Sequence, residues 1–328
     1  MDKSEKMKSY IGSEDDKVYN TPEKWFVRER WANFALIRRD KNKIKFIRLL
    51  TLTSIKAYDI KFLFKKGLIQ TTETGYSPGS ITFCEKNSER YTRIFNNLPG
   101  ARAYQGTFED FVGAGSIEFT ERAKKWFPFD VINLDFTGPM FRHAERNTSK
   151  VMDAMLKMFM IQDFTKQSFT LFLSVPAIKG GDDDTGIKQL SDCLDVNLAS
   201  KETMKFKEVF EQKYPSKKIN SHYEFLLITV PKIIIKYGQS KNFDVDCSGK
   251  YTYIGENAQT RMVSFIFDCE YRGLQDGYGG ENPASVLAKV YPDRVLKTIT
   301  QDYLDVNRIF GEQPEIKKKC IEYKKQVV

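Results

Sequence analysis

Three carboxylates in this sequence stand where a parallel sheet would present its chemistry. Glu85 ends the run ITFCE, Asp110 follows AYQGTF, and Asp135 ends VINLD. Ligands of an open parallel sheet lie in the crevice beyond the carboxyl ends of the strands, so residues just after each apolar run can reach them. A carboxylate at the first position can accept both hydroxyl hydrogens of a ribose. One at the second can accept a hydrogen from an adenine amino group, with the Phe108 ring against the base. The third can orient a reacting group. The competing reading is core packing for Phe108 and a helix cap for Asp135.

These positions have meaning only if the segments around them form a sheet. From residue 44 onward, short apolar runs alternate with helical segments, the pattern of a mainly parallel sheet with crossover helices. IKFIRLLTLT (44–53) is the first expected strand, and a helix follows over 55–66 and stops at Gly67. SITFCEKN (80–87) is the second strand, before a helix capped by Ser88. ARAYQGTFEDF is the third, and FDVINLDFTG (129–138) the fourth. A helix over 147–165 leads to QSFTLFLSVPAI, and helices over 187–213 and 221–237 precede FDVDCSGKYTYIG and TRMVSFIFDCEY. Those last two runs read as an antiparallel hairpin. The fold class is therefore α/β: a Rossmann-like, mainly parallel sheet with flanking helices and a terminal antiparallel hairpin.

Three regions follow from this pattern: a polar arm with a basic helix (1–43), the Rossmann-like domain (44–272) and a helical extension (273–328). In the first helix Phe26, Val27, Trp31, Phe34 and Ile37 recur at helical spacing. Arg28, Glu29, Asn33 and Arg39 fall on the other surface, and Arg30 and Arg38 flank the stripe. Those arginines read as solvated, or as an arm facing phosphates.

The succession resembles the class I S-adenosylmethionine (SAM)-dependent methyltransferase family: an acid after the second strand, TFEDF after the third, LDFTGP after the fourth, and a closing hairpin, over residues 44–272. The resemblance implies that Glu85 binds the ribose of SAM and that Phe108, Glu109 and Asp110 surround its adenine. It also implies that Asp135, Phe136, Gly138 and Pro139 face the methyl-transfer centre. From the residues themselves, Phe136 or Phe141 can stack on a base, and His143 reads either as a general base near the same loop or as a surface residue at the entry to the next helix.

One segment departs from the family. Its first loop normally carries a glycine-rich turn that lets the backbone approach the cofactor. Here the loop reads LLTLTSIKAYD, with no glycine between Lys41 and Lys66. Thr51, Thr53 and Ser54 remain as hydrogen-bonding candidates for the cofactor, and Asp59 reads as a surface carboxylate. GAGS (113–116) lacks the strand and lysine of a nucleotide loop and reads as a connection. GGDDDTG reads as a solvated loop without metal-ligand spacing.

Composition narrows the classes further. The 328 residues are 41% hydrophobic, enough for a substantial core, and no apolar run reaches membrane-spanning length. Five scattered cysteines and two histidines argue for reduced thiols and against zinc. The mixed-charge N-terminus has no leader-like apolar segment, which places the expectation in the cytoplasm. A net charge of +9 suits a polyanionic partner. Two functions are expected: a SAM-dependent methyltransferase acting on nucleic acid, or a catalytically degenerate Rossmann-like subunit that binds nucleic acid or a partner protein. An enzyme using another adenine-containing ligand is the third possibility.

Overall fold

The structure, a computed structural model, describes residues 20–327 except 137, 139–143, 146–147, 179–183, 217–218, 220, 256–257 and 273–282. Short β-branched and apolar runs supply the strands of one eight-stranded sheet: β1 (Leu49–Thr51), β2 (Ile81–Glu85), β3 (Arg102–Gln105), β4 (Val131–Asp135), β5 (Phe169–Pro176), β6 (Phe243–Ile254), β7 (Arg261–Tyr271) and β8 (Leu304–Asp305). Their order is β3-β2-β1-β4-β5-β7-β6-β8. All neighbours pair in parallel except around β7, which is antiparallel to both β5 and β6. The chain starts in the middle at β1, runs out to β3, and returns to β4 on the other side. That reversal creates a switch-point crevice at the carboxyl ends of β1 and β4. The expected Rossmann-like sheet with its terminal hairpin is thus present.

Alternation along the strands feeds two cores. Leu50, Ile132, Leu134, Leu171 and Leu173 point to one face. There they meet α4 (Phe108–Val112), α6 (Lys150–Thr165), α7 (Asp184–Ala199) and α9 (His222–Gln239). Leu49, Val131, Phe172 and Ile266 point to the other. That face is covered by α1 (Pro22–Lys41), α2 (Tyr58–Lys65), α3 (Ser88–Asn97), α11 (Val306–Glu312) and α12 (Pro314–Val327). A bulge between Cys247 and Gly249 breaks the alternation of β6. Cys247 and the odd-numbered residues before it face the first core, while Tyr251 and Tyr253 face the second, because one extra residue exchanges the two faces of a strand. The short helix α5 (Glu121–Trp126) and α8 (Met204–Lys213) and α10 (Pro283–Thr300) complete the layers. Val306, Phe310 and Cys320 share the second core with Trp25 and Phe26, so both ends of the described chain meet there.

Several local expectations are corrected. TFEDF does not extend the third strand: Thr107 and Asp110 form a reciprocal capping box, which ends β3 at Gln105 and starts α4. Asn87, not Ser88, caps α3 through its side chain. The helix expected over 187–213 is two helices, because Ser200 caps a 3-10 turn between them. Above all, two of the four arginines of α1 are not solvated. Arg28 and Arg38 are 2% and 1% exposed, whereas Ile37 of the expected apolar stripe is 46% exposed. Arg38 lies between Asp268 and Glu270 of β7 and also reaches Thr170, which pays for its burial. Against the burial that would raise it, Arg38 and Lys41 hold the Glu270 carboxyl down at about 2.

A lysine elsewhere has no such compensation. Lys232 of α9 is buried among α7, α8 and α10, its Nζ 3.7 Å from the Phe206 ring centroid and without a hydrogen-bond partner. Burial pushes its ammonium down to about 7, against the pull of Cys193 and Asp195. An unfolded lysine titrates at 10.5, so between the two values the unfolded chain binds more protons and stability rises with pH. Lys232→Met is therefore expected to stabilise the protein by about 2 to 4 kcal/mol near neutral pH and to flatten that rise. Urea denaturation at about pH 7 and about pH 9 reads both effects.

Candidate functional site

The carboxyl ends of β1 and β4 are met by the first turns of α1. Thr21 caps this helix by accepting the Lys24 N–H, and Pro22 occupies the first helical position, where its missing N–H is no loss. Asn20 anchors the entry: its Oδ1 accepts from the Trp25 indole at 2.8 Å, and its amide donates to the Tyr58 hydroxyl. Held this way, Lys24 and Arg28 point at the sheet. Lys24 Nζ is 2.5 Å from Asp135 Oδ2, and Arg28 pairs with Asp59 at the start of α2. Asn133 of β4 ties the Arg28–Asp59 pair to β1 by donating to both Asp59 Oδ2 and Thr51 Oγ1 at 3.2 Å.

Aromatic rings surround both cations. Lys24 Nζ lies 5.1 Å from the Trp31 ring centroid and 5.9 Å from that of Tyr253, and Arg28 stands over Trp25 and Tyr58. Tyr253 reaches this place because of the β6 bulge. Burial alone would depress the Lys24 ammonium, but Asp135, with Tyr253 and Asp59 behind it, raises it above the ordinary lysine value. The proton therefore stays on Lys24 at neutral pH, and the contact is a buried ion pair.

The expected site residues separate into two groups. At the β1–β4 crevice, Thr51 is fully buried and accepts from Asn133, and Thr53 is buried with its hydroxyl turned to the Ser54 carbonyl. Asp135 is sealed by Lys24, and Phe136 packs half-buried against the first core. Gly138 is half-buried, while Pro139, Phe141 and His143 lie outside the described residues, as does most of the GGDDDTG loop. Asp59 is not the surface carboxylate expected of it: it is buried, because Arg28 and Asn133 both bind it.

At the β2–β3 lip the groups are more open. Glu85 Oε1 accepts the Asn87 N–H at 2.7 Å, and its Oε2 accepts from Arg90 at 3.1 Å. Asp110 is exposed and serves the capping box with Thr107. Phe108 is 1% exposed and belongs to the core, so it offers no ring face to a base. Lys24, Asn133 and Tyr253 were not singled out from the sequence. Asn133 had a signal, a polar residue inside the buried run VINLD.

SAM does not fit the crevice as it is built. The cofactor is cationic at sulfur and needs close backbone approach at the first loop. Here that loop lacks glycine, Thr51 and Thr53 are buried, and the carboxylate that would face the reacting group already holds an ammonium.

A family model described as PP_RS20740-like matches residues 99–328, more than half of the chain. The chain belongs to this PP_RS20740-like family. No curated protein matches it. Among solved structures, the chain is similar to a modification subunit of a putative type I restriction enzyme from Vibrio vulnificus YJ016, at 9% identity and a TM-score of 0.34. The match covers 71% of this chain and 43% of that one, so the chain spans less than half the length of that subunit. Among the described residues, no helix is long and apolar enough to cross a membrane.

The ion pair that closes the crevice can be tested without knowing any ligand. Removing one partner of a buried pair strands the other charge, so Lys24→Met is expected to cost about 3 to 5 kcal/mol. Combining it with Asp135→Leu removes both charges and is expected to restore most of that stability. Urea denaturation of the two single variants and the double variant gives the coupling directly. A double variant no more stable than Lys24→Met would show that the pair does not clamp α1 to the sheet.

Proposed function

We propose that this protein is a methyltransferase-like Rossmann scaffold that works by binding nucleic acid and does not turn over SAM. The observation that carries this reading is the buried Lys24–Asp135 ion pair, which fills the position where a cofactor's cationic centre and a substrate amine would meet. The glycine-free first loop and the buried Thr51 and Thr53 support it from the other side of the crevice. The scaffold part of the reading rests on strand order: outward strands β1–β2–β3, a return to β4 and β5, and an antiparallel hairpin at the other end. The nucleic-acid part rests on charge. At +9 the chain attracts phosphates, and each lysine or arginine that neutralises one releases a counterion.

A second reading, SAM-dependent methylation of nucleic acid, is favoured by one observation. Glu85 and Asp110 both remain at the lip of the crevice, at the positions that the family resemblance assigns to ribose and adenine. It requires the first turns of α1 to withdraw from Asp135.

Calorimetric titration of the nucleic-acid-free protein with SAM and S-adenosylhomocysteine separates the two. No binding is expected up to millimolar ligand. Labelled oligonucleotides are expected to bind with an affinity that falls steeply as salt is raised. Binding of SAM by the wild type, abolished in Glu85→Ala, would overturn the proposal in favour of the methyltransferase.

A further inference from the structure

The end of the sheet opposite the crevice carries a cluster of exposed cations. A depression of about 420 Å³ opens there between the C-terminal end of α1, the start of β5 and the end of β7. Lys41, Arg48, Lys166 and Arg272 line it, with Gln167 and Ser168 on its floor. Its acids are matched: Asp268 and Glu270 by Arg38 and Lys41, Asp130 by Arg48. Even so, the side chains of Lys41 and Arg48 stay 45% and 41% exposed. The connection from α1 to β1 reads Lys41-Asn42-Lys43-Ile44-Lys45-Phe46-Ile47-Arg48, and it adds Lys43 and Lys45, both exposed. Some positive charge here offsets the carbonyl ends of α1 and α6, but Lys43 and Lys45 lie beyond the last turn of α1.

Two further features mark this edge. Lys43 and Lys166 both adopt left-handed backbone, with φ of 53° and 52°. A lysine costs stability in that conformation, so its presence at two such positions beside one depression calls for a role. Two residues before Lys166, at the end of α6, Phe164 is 73% exposed, its ring edge-on to Phe119 with centroids 5.9 Å apart. Ile117, two residues before Phe119, is fully exposed. An exposed aromatic ring next to a run of exposed cations suits single-stranded nucleic acid, whose bases stack on rings while its phosphates follow the charge. An acidic protein would satisfy the lysines but not the rings.

We propose that single-stranded nucleic acid binds at this edge, with its phosphates along Lys41, Lys43, Lys45, Arg48 and Lys166 and a base on Phe164. The proposal rests on the nucleic-acid reading above and assigns it a surface, away from the crevice.

The test uses fluorescence anisotropy of the full chain with labelled single-stranded DNA and RNA of about 20 nucleotides, from ~50 to ~200 mM salt. Lys43→Gly with Lys166→Gly removes two charges and also relieves the left-handed strain, so the melting temperature should hold or rise. Affinity should fall about tenfold or more, and the salt dependence should become shallower by roughly two phosphate contacts. Phe164→Ser should weaken binding to single strands while leaving duplex binding unchanged. DNA and RNA arms that respond alike assign the site to the shared backbone and base stacking, and a response in one arm assigns it to that polymer. Variants that bind like the wild type would overturn this site and leave the nucleic-acid reading intact. A wild type that binds no oligonucleotide would overturn both, and so would a polyglutamate peptide that competes fully and is insensitive to Phe164→Ser.

Discussion

The arrangement of this protein depends on three cations of α1 being buried against carboxylates of the sheet and of α2. Lys24, Arg28 and Arg38 are each at most 3% exposed, and an unpaired buried charge costs a large share of a domain's stability. Each must therefore meet an acid: Asp135 for Lys24, Asp59 for Arg28, Asp268 and Glu270 for Arg38. The first two acids stand at the carboxyl ends of the parallel strands and the last two at the opposite edge. The helix is thus fixed at both ends along the sheet, and it can neither slide nor rotate without stranding a charge.

The same constraint governs the crevice. In a Rossmann-like sheet the switch point between β1 and β4 is the natural ligand position. Here the helix entry, held by the Asn20 contacts to Trp25 and Tyr58, delivers Lys24 into that position. The β6 bulge turns Tyr253 to the same side, and Asn133 ties the Arg28–Asp59 pair to Thr51. Backbone irregularity, helix capping and charge pairing act together, so the crevice is occupied by the fold itself. The nucleic-acid binding we propose is then assigned to the other edge, where cations remain exposed after pairing.

Much of the fold was legible in the chain. Short apolar runs ending in acids marked β2 and β4, and the paired runs before residue 272 marked the hairpin, because burial on both faces leaves continuous hydrophobic strands. Local chemistry corrected the boundaries: a capping box ended β3, and Ser200 divided one expected helix into two. For the site, the positions of Glu85 and Asp135 at strand ends were legible, while their partners were not, and Asp110 lies in the first turn of α4. Glu85 meets Arg90 of the helix that follows at once, but Asp135 meets Lys24 from more than a hundred residues away.

The first helix shows where sequence and tertiary structure divide. Read for apolar spacing, it presents Phe26, Val27, Trp31, Phe34 and Ile37. The stripe that faces the sheet is Lys24, Arg28, Trp31, Ala35 and Arg38, all buried at heptad-like spacing. The sequence alone determined that a helix forms here, that it is basic, and that a Rossmann-like sheet follows without a glycine turn, because propensity, caps and periodicity are local. Only the tertiary structure decided which face of the helix turns inward, since that depends on acids supplied by β4, α2 and β7. A lysine or arginine prefers water until a distant carboxylate offers it a better partner.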